Sequence, residues 1–582
     1  MNFLFSDYKV DIKDVGFRST EGRNFAKTAV ITFTSPDQEK VSMENYGYID
    51  SEEVYKWIDS RQSINLNECY VDHFSLSEYR ISRELEKKKI IDIPGFSARG
   101  AFFDSAAKID MSYIRFGNGN IDFEQAIFAK GLLSFNSTNF GDGHISFAYT
   151  QFRNGNIDFA NTVFGTGDVN FKNCVFHNGT KDFQYADFGS GNVSFVNTDF
   201  GDGDVSFINT IFHDGDISFK VARFGTGKID FHFAKFGNGD IVFERTEFGN
   251  GRVDFRTAEF NHGRINFNRA VFGDGDISFE GSELKSGKFM FKRASLGSGS
   301  FSFEQAEFAN AELYLDGTDF GNGTISFYNS KFKLLSLRSC HLDNYLDLRC
   351  QQAEYADLSD TVARDIIDIM PYEVKVNISI LNLTGMRLIG QIYIDWELNK
   401  VQAIIENQQE TGLRNKAEQF RILKQNFNAT GHYNDEDKAY VEFKRYESLA
   451  DLEESMRRKP VSALWQYPVF WFKWLIFDKI GLYATAPGRV LVSVLVSWFI
   501  FGTLYFLIQL AGLGNTTSSV GNPDKLSALA QSFYHSAITF FTIGYGDVFP
   551  QGLSRVLSAL EGFMGVFMMS YFTVAFVRKV LR

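Results

Sequence analysis

Phe188-Gly189-Ser190-Gly191-Asn192-Val193-Ser194-Phe195-Val196-Asn197-Thr198-Asp199-Phe200 holds one full period of a twelve-residue repeat. One phenylalanine series runs from Phe116 through Phe128, Phe140 and Phe152 to Phe272, and a second, seven residues on, runs unbroken from Phe123 to Phe303. A glycine register runs from Gly119 through Gly131 and Gly143 to Gly299. The unit is Phe-Gly-x-Gly-x-Ile-x-Phe-x-x-Ala-x. Residues two apart share one face of a strand, so Val193 with Phe195, and Thr198 with Phe200, point the same way. The glycines fall where the longer, seven-residue side has to turn. A lone hairpin cannot bury such rows, whereas coils stacked about 4.8 Å apart can. Two units per coil are expected, with phenylalanine stacks at the corners. About eighteen units then give about nine coils and a rod on the order of 40 Å long. One unit per coil is the alternative, in which two inward phenylalanines crowd a narrow section.

The small-x-Phe half of the unit, as in Ala126-x-Phe128 and Thr198-x-Phe200, resembles pentapeptide-repeat proteins, with every second pentapeptide stretched to seven. That resemblance implies a right-handed, four-sided β-helix. Gly-Asp-Gly-Asp at 201–204 and 273–276 invites a calcium reading, but other units carry Asn, Thr, Ser or Lys there, so solvated turn chemistry is expected. After Phe332 the register loosens, and Leu346-x-Leu348, Ala356-x-Leu358 and residues 378–394 carry irregular coils on to about Trp396.

Before the repeat, residues 1–95 are expected to form a small α/β cap over the open strand edge of the solenoid. Ala29 to Phe33 reads as a strand, Ser51 to Ser60 as a helix, and Ile64-Leu66-Glu68-Tyr70 as one further alternating strand. The solenoid is assigned to residues 96–400, with regular repeats over about 116–332. A helical pair follows at 401–460: Lys416 to Asn428, closed by Gly431, then Asn434 to about Arg458. Residues 461–488 hold Trp465, Tyr467, Phe470, Trp471, Phe472, Trp474 and Phe477. Tryptophan and tyrosine favour the headgroup level, so an interfacial helix is expected, with a third membrane span as the alternative.

Residues 489–582 carry two apolar runs, Val490 to Leu513 and Leu553 to Val577, each long enough to cross a bilayer at roughly 20 residues per crossing. Between them lies a short helical pattern, Leu526 to Phe541, then Thr542-Ile543-Gly544-Tyr545-Gly546-Asp547. Glycine at 544 and 546 permits positive φ, so successive carbonyls can face one axis and replace the water shell of a cation. The preceding helix aims its partly negative C-terminus at the same place. These residues resemble the pore of two-span bacterial potassium channels, whose filter reads Thr-Val-Gly-Tyr-Gly-Asp. The resemblance implies K+ held by the carbonyls of Thr542, Ile543, Gly544 and Tyr545, with Gly546 and Asp547 completing the filter and Gly565 at a gating hinge. Phe541 and His535 depart from the usual pattern. Glu561, a carboxylate inside the second span, either lines the cavity or bonds behind the filter. The order of repeats, helical pair, turn and pore also resembles bacterial pentapeptide-repeat ion-channel proteins.

The chain of 582 residues has a formal charge of -12 and a sequence pI near 5.4, which argues against a nucleic-acid partner. Four scattered cysteines point to free thiols in a reducing compartment, and no secretory signal opens the chain. Basic residues flank the outer ends of the spans (Arg457, Arg458, Lys459, Lys473, Lys479 and Arg489 before, Arg578, Lys579 and Arg582 after), while only Lys525 lies between them, with Arg555 at the start of the second. Both termini are therefore expected in the cytoplasm of a bacterial inner membrane. One chain supplies one filter strand, so the expected channel is a homotetramer. The carboxyl-terminal end carries no dinucleotide-binding fingerprint, so regulation is expected from the N-terminal side, by an unidentified cytoplasmic ligand or protein acting on the solenoid and through the interfacial helix on the first span. No nucleophile–base pair or metal cluster argues for an enzyme, and no cofactor is expected beyond K+ as the transported ion. The competing reading is a membrane-anchored β-helix scaffold that binds a protein partner and conducts little.

Overall fold

The computed structural model describes the chain except residues 1–4, 36–39, 106–107, 154, 459–462, 520, 522–525 and 582; the side chains of Lys40, Val41 and Ala463 are also outside the description. Lys459, Lys525 and Arg582, which enter the orientation reading, therefore lie outside the described residues, as do the first two positions of the aromatic segment. The chain divides into two units, Met1–Gln408 and Gln409–Arg582.

The first unit is a β-solenoid of about 14 turns. Its coil is two repeat units long: Ile145 pairs with Val169, Gln151 with Val175 and Ile157 with Lys181, all in parallel, and Val163 bridges Asp187. These are four ladders, so each coil has four sides. At one corner the Thr150 amide donates to the Phe147 carbonyl at 3.0 Å, and Tyr149 takes a φ of 59°. The small residue of the repeat has a bonding role as well as a steric one. Thr150 Oγ1 donates to Phe123 O of the coil before at 2.8 Å, Thr162 to Phe135 O at 3.0 Å, and Cys174 Sγ to Phe147 O at 2.8 Å. A hydroxyl or thiol at that place gives a second donor to a buried carbonyl that already accepts the turn amide, and so satisfies its own hydrogen-bonding need in the core.

The phenylalanines stack from coil to coil in parallel columns. Phe147 and Phe171 lie 4.8 Å apart with planes 3° from parallel, Phe159 and Phe183 5.0 Å and 3°, Phe164 and Phe188 4.5 Å and 7°. Each ring is buried, which contributes about 1.5–3 kcal/mol per side chain. The glycine register has a reason beyond the turn. A Cβ on Gly165 would sit 1.7 Å from Gly141 O, and one on Gly167 2.2 Å from Gly143 O. With the backbone as it stands, neither of these two positions has room for a Cβ. The aspartates of Gly-Asp-Gly-Asp are engaged by the next coil: Asp202 Oδ1 accepts from Thr226 N and Oγ1, Asp204 Oδ1 from Lys228 N, Asp274 Oδ1 from Ser298 N and Oγ, Asp276 Oδ1 from Ser300 N.

At the N-terminal end, strands Asp7–Lys13, Thr28–Thr34 and Lys40–Asp50 pair antiparallel, and the third continues parallel into Cys69–Asp72 and Phe102–Asp104. Coil-type pairing thus begins at Gly47, upstream of the expected boundary at 95. Residues 64–70 are two sides of this first coil rather than one alternating strand. Glu68 sits at φ 57° and Cys69 N donates to Leu66 O, which turns the chain between Ile64–Asn65 and Cys69–Asp72. Period-two alternation over so short a run cannot distinguish a strand from a corner. Helices α1 (Ser51–Asp59, N-capped by Asp50) and α2 (Leu76–Ser82) interrupt the early coils. The coils end with Gln391–Tyr393 and α3 (Val401–Glu406).

The second unit opens with a helical hairpin, α4 (Leu413–Ala429) and α5 (Tyr433–Arg458), turned at Gly431 with φ 76°. Arg414 at the start of α4 pairs with Asp451 and Glu454 near the end of α5, which makes the two antiparallel. Then come α6 (Ala463–Lys473), a π-helical stretch Trp474–Ile480, α7 (Pro487–Leu510), α8 (Ala528–Phe540) and α9 (Ser554–Val580). Among the described residues α7 and α9 are the two helices long and apolar enough to cross a membrane. The aromatic segment is therefore two helical pieces, with Trp465, Trp471 and Phe472 exposed along them. Within the π-helical piece Asp478 is buried and meets Arg445 of α5 at 2.7 Å.

Candidate functional site

Helix α8 starts at Ser527, whose hydroxyl accepts from Ala530 N at 3.2 Å, and packs between α7 and α9. Its C-terminal carbonyl Ile538 O accepts from the amides of both Ile543 and Gly544, at 2.9 and 3.2 Å, so the following loop folds directly over the end of the helix. Along that loop every second residue is left-handed: Thr542 at φ 56°, Gly544 at 59° and Gly546 at 73°. Glycine at 544 and 546 takes this conformation without the penalty an L side chain carries. Thr542 shares it, which the glycine pattern did not reveal.

Among the described residues, no donor reaches the carbonyls of Thr542, Ile543, Gly544 or Tyr545. The next two carbonyls are used, since Ser519 donates to Gly546 O and Asp547 O. The Thr542 hydroxyl donates to Phe541 O at 2.7 Å. In the single chain Ile543 is 50% and Tyr545 71% exposed. Asp547 is held through Oδ2 by the Tyr534 hydroxyl at 2.8 Å, and strands Gly514–Ser518 and Val548–Gly552 pair beside it.

Glu561 does not face an open cavity in the chain. It is fully buried among three helices and accepts from Tyr505 of α7 at 2.7 Å and from Ser536 of α8 at 2.5 Å. Trp498 O lies 3.2 Å from the same Ser536 hydroxyl as an alternative acceptor, and His535 Nε2 meets Ser558 Oγ at 3.2 Å. His535 thus bonds α8 to α9. Gly565 lies under the end of α8, where an added Cβ would come within 2.0 Å of Phe540 O. Close packing accounts for this glycine, and α9 is continuous through it. Tyr534, Tyr505 and Ser536 were not singled out from sequence. For Tyr534 and Ser536 the signal was the run of hydroxyls, Ser532, Tyr534 and Ser536, along α8.

The comparisons agree with this geometry. Residues 493–582 match the family described as ion channel, and residues 166–211 match pentapeptide repeats in nine copies. Protein LctB of Bacillus caldotenax is 35% identical over 82 residues, covering 13% of this chain and 61% of that protein. Protein LctB of Geobacillus stearothermophilus is 34% identical over 112 residues, covering 19% of this chain and 77% of that protein. No solved structure matches. The chain is thus a membrane protein that belongs, through its C-terminal region, to the family of these LctB proteins, and it carries an ion channel domain at 493–582 after a pentapeptide-repeat β-solenoid.

Proposed function

We propose that the chain is one subunit of a homotetrameric, potassium-selective channel, in which Thr542, Ile543, Gly544 and Tyr545 line the ion path with their carbonyl oxygens. The observation that carries this reading is the row of four carbonyls without a donor, on a backbone that alternates in handedness. Such oxygens can replace the hydration shell of a monovalent cation when four strands converge on one axis. The exposed Ile543 and Tyr545 find their cover in neighbouring subunits. Gly546 and Asp547 complete the loop, with Asp547 braced by Tyr534. Glu561 fixes α8 against both spans. Gly565 serves as packing first and as a hinge only where α9 bends away from Phe540. Both termini lie in the cytoplasm of a bacterial inner membrane, with Arg578 and Lys579 on that side. The solenoid serves regulation or assembly. K+ is cargo, and no catalytic role is assigned.

The test is ion flux from liposomes containing the purified chain. Potassium flux should exceed sodium flux by at least tenfold, and Gly544→Asp should abolish it while the mass of the assembly stays that of four chains. Equal potassium and sodium flux would end the selectivity reading. A folded assembly without flux would favour the scaffold.

A further inference from the structure

Helix α5 bonds the C-terminal end of α9 and the π-helical stretch that leads into α7. Asp437, in its second turn and 10% exposed, faces two cations from the C-terminal turn of α9: Arg578 Nη2 at 3.2 Å and Lys579 Nζ at 3.1 Å. Lys579 also donates to Asn434 Oδ1 at 3.2 Å, and the Arg578 guanidinium lies 4.3 Å from the centre of the Tyr440 ring. Two turns further along α5, Arg445 meets Asp478 through Nε at 3.2 Å to both oxygens and through Nη2 at 2.7 Å, and it also bonds Glu442 at 2.8 Å. Asp478 belongs to the π-helical stretch that leads into α7.

The link between that stretch and α7 is itself unusual. Leu482, Tyr483 and Ala484 take φ of 45°, 51° and 61°, three consecutive left-handed residues without a glycine among them. L-residues avoid this conformation, and it persists where surrounding contacts over-determine it. Those contacts come from α9. Arg578 Nη1 reaches Tyr483 O at 3.4 Å, and the Tyr571 ring packs so closely on Gly481 that a Cβ there would fall 1.8 Å from it. The elbow before α7, the end of α9 and α5 therefore form one packed cluster, joined by charge-assisted bonds from α5 and α9.

We infer that Asp437 is a positioning residue for the channel gate: by holding Arg578 and Lys579 while Arg445 holds Asp478, α5 clamps the end of α9 to the stretch that leads into α7 and so sets how often the pore opens. This rests on the channel reading above. It adds that the cytoplasmic signal reaches the second span directly, and not only the first span through the interfacial segment. Helix α5 is suited to this because α4, which follows the solenoid in the chain, is bound along its length, from Arg414 against Asp451 and Glu454 to Phe420 stacked on Tyr446 at 5.5 Å. A ligand or partner that shifts the hairpin has differential contacts with two gate positions, which is what a population shift requires.

The experiment is single-channel recording of the full chain in planar bilayers. Asp437→Asn and Arg578→Gln should each change open probability by about fivefold or more in the same direction, within the usual range of such couplings. The double variant should change it no further than the larger single one, and unitary conductance and K+ over Na+ selectivity should stay at wild-type values. Exchanging the charges (Asp437→Lys with Arg578→Glu and Lys579→Glu) should return open probability toward wild type. Open probability unchanged in both single variants, with normal conductance, overturns the clamp and leaves the channel standing. So does additive behaviour in the double variant. A wild-type chain that passes no current removes both.

Discussion

Replacing Glu561 tests whether three pore helices are held by one carboxylate. Its oxygens accept from Tyr505 at 2.7 Å and Ser536 at 2.5 Å at a fully buried position. Hydrogen bonds to a charged group contribute about 1.5–3 kcal/mol each, and a buried hydroxyl left without a partner costs about 1–3 kcal/mol. Against this, removing a buried charge recovers part of its desolvation penalty. Ser536 keeps Trp498 O at 3.2 Å as an acceptor, so Tyr505 is the principal orphan. Glu561→Leu should therefore destabilise the pore domain by about 2–4 kcal/mol, and Glu561→Gln, which keeps one good acceptor, by about 1 kcal/mol. For a unit of this size a loss of about 2–4 kcal/mol lowers the melting temperature on the order of 10 °C. The assay is thermal melting of the assembled protein in detergent, with Tyr505→Phe measured beside it. Tyr505→Phe added to Glu561→Leu removes the orphaned hydroxyl, so the double variant should be less destabilised than the two single effects summed. If Glu561→Leu melts with wild type, or if the two changes add, the carboxylate does not tie α7 and α8 to α9.

Two further outcomes concern the solenoid. Lys181 stands in the core column that Ile157 and Val205 otherwise fill; its Nζ donates to Asp202 O at 2.9 Å, and burial pushes its pKa down from 10.5 to about 8. Between those values the unfolded chain binds the extra proton, so stability should rise with pH through that window, and Lys181→Met should abolish the rise and raise the melting temperature at pH 7; a slope that survives the substitution refutes the assignment. Gly165→Ala should disrupt stacking, since its Cβ would meet Gly141 O at 1.7 Å on a backbone at φ 74°, whereas Gly100→Ala, with open space and φ 61°, should carry only backbone strain of about 1–2 kcal/mol. Circular dichroism melts compare them, and equal losses in the two variants would show that close coil contact does not set the glycine register.

What could be read from the chain depended on whether each interaction was local or periodic. The proposed filter is six consecutive residues, and its carbonyls belong to the backbone, so neither distance nor partner choice enters that reading. The solenoid core repeats every 24 residues, and the twelve-residue count narrows the register to two choices: Phe147 over Phe171 follows once each coil holds two units, as the pairing shows. Where the period was carried by different residue types, reading failed. Ile64 to Tyr70 alternates like a strand, yet Glu68 turns the chain, and only pairing with the next coil shows the corner.

The interactions that no periodicity announces are those that join elements of unlike structure. Asp437 and Arg578 are separated by 141 residues, and each has an ordinary local explanation: an acidic residue near a helix N-terminus and a basic one near a C-terminus both favour the helix dipole. Tyr505, Ser536 and Glu561 likewise lie on three helices, each of whose apolar pattern would be satisfied without them. A single polar residue in an apolar span carries a large cost when unpaired, so its presence signals a partner without saying where the partner is. Backbone chemistry and repetition thus make the rod legible and the proposed ion path expressible from sequence, while the couplings that would let one act on the other reside in isolated side chains, whose meaning only three-dimensional proximity supplies.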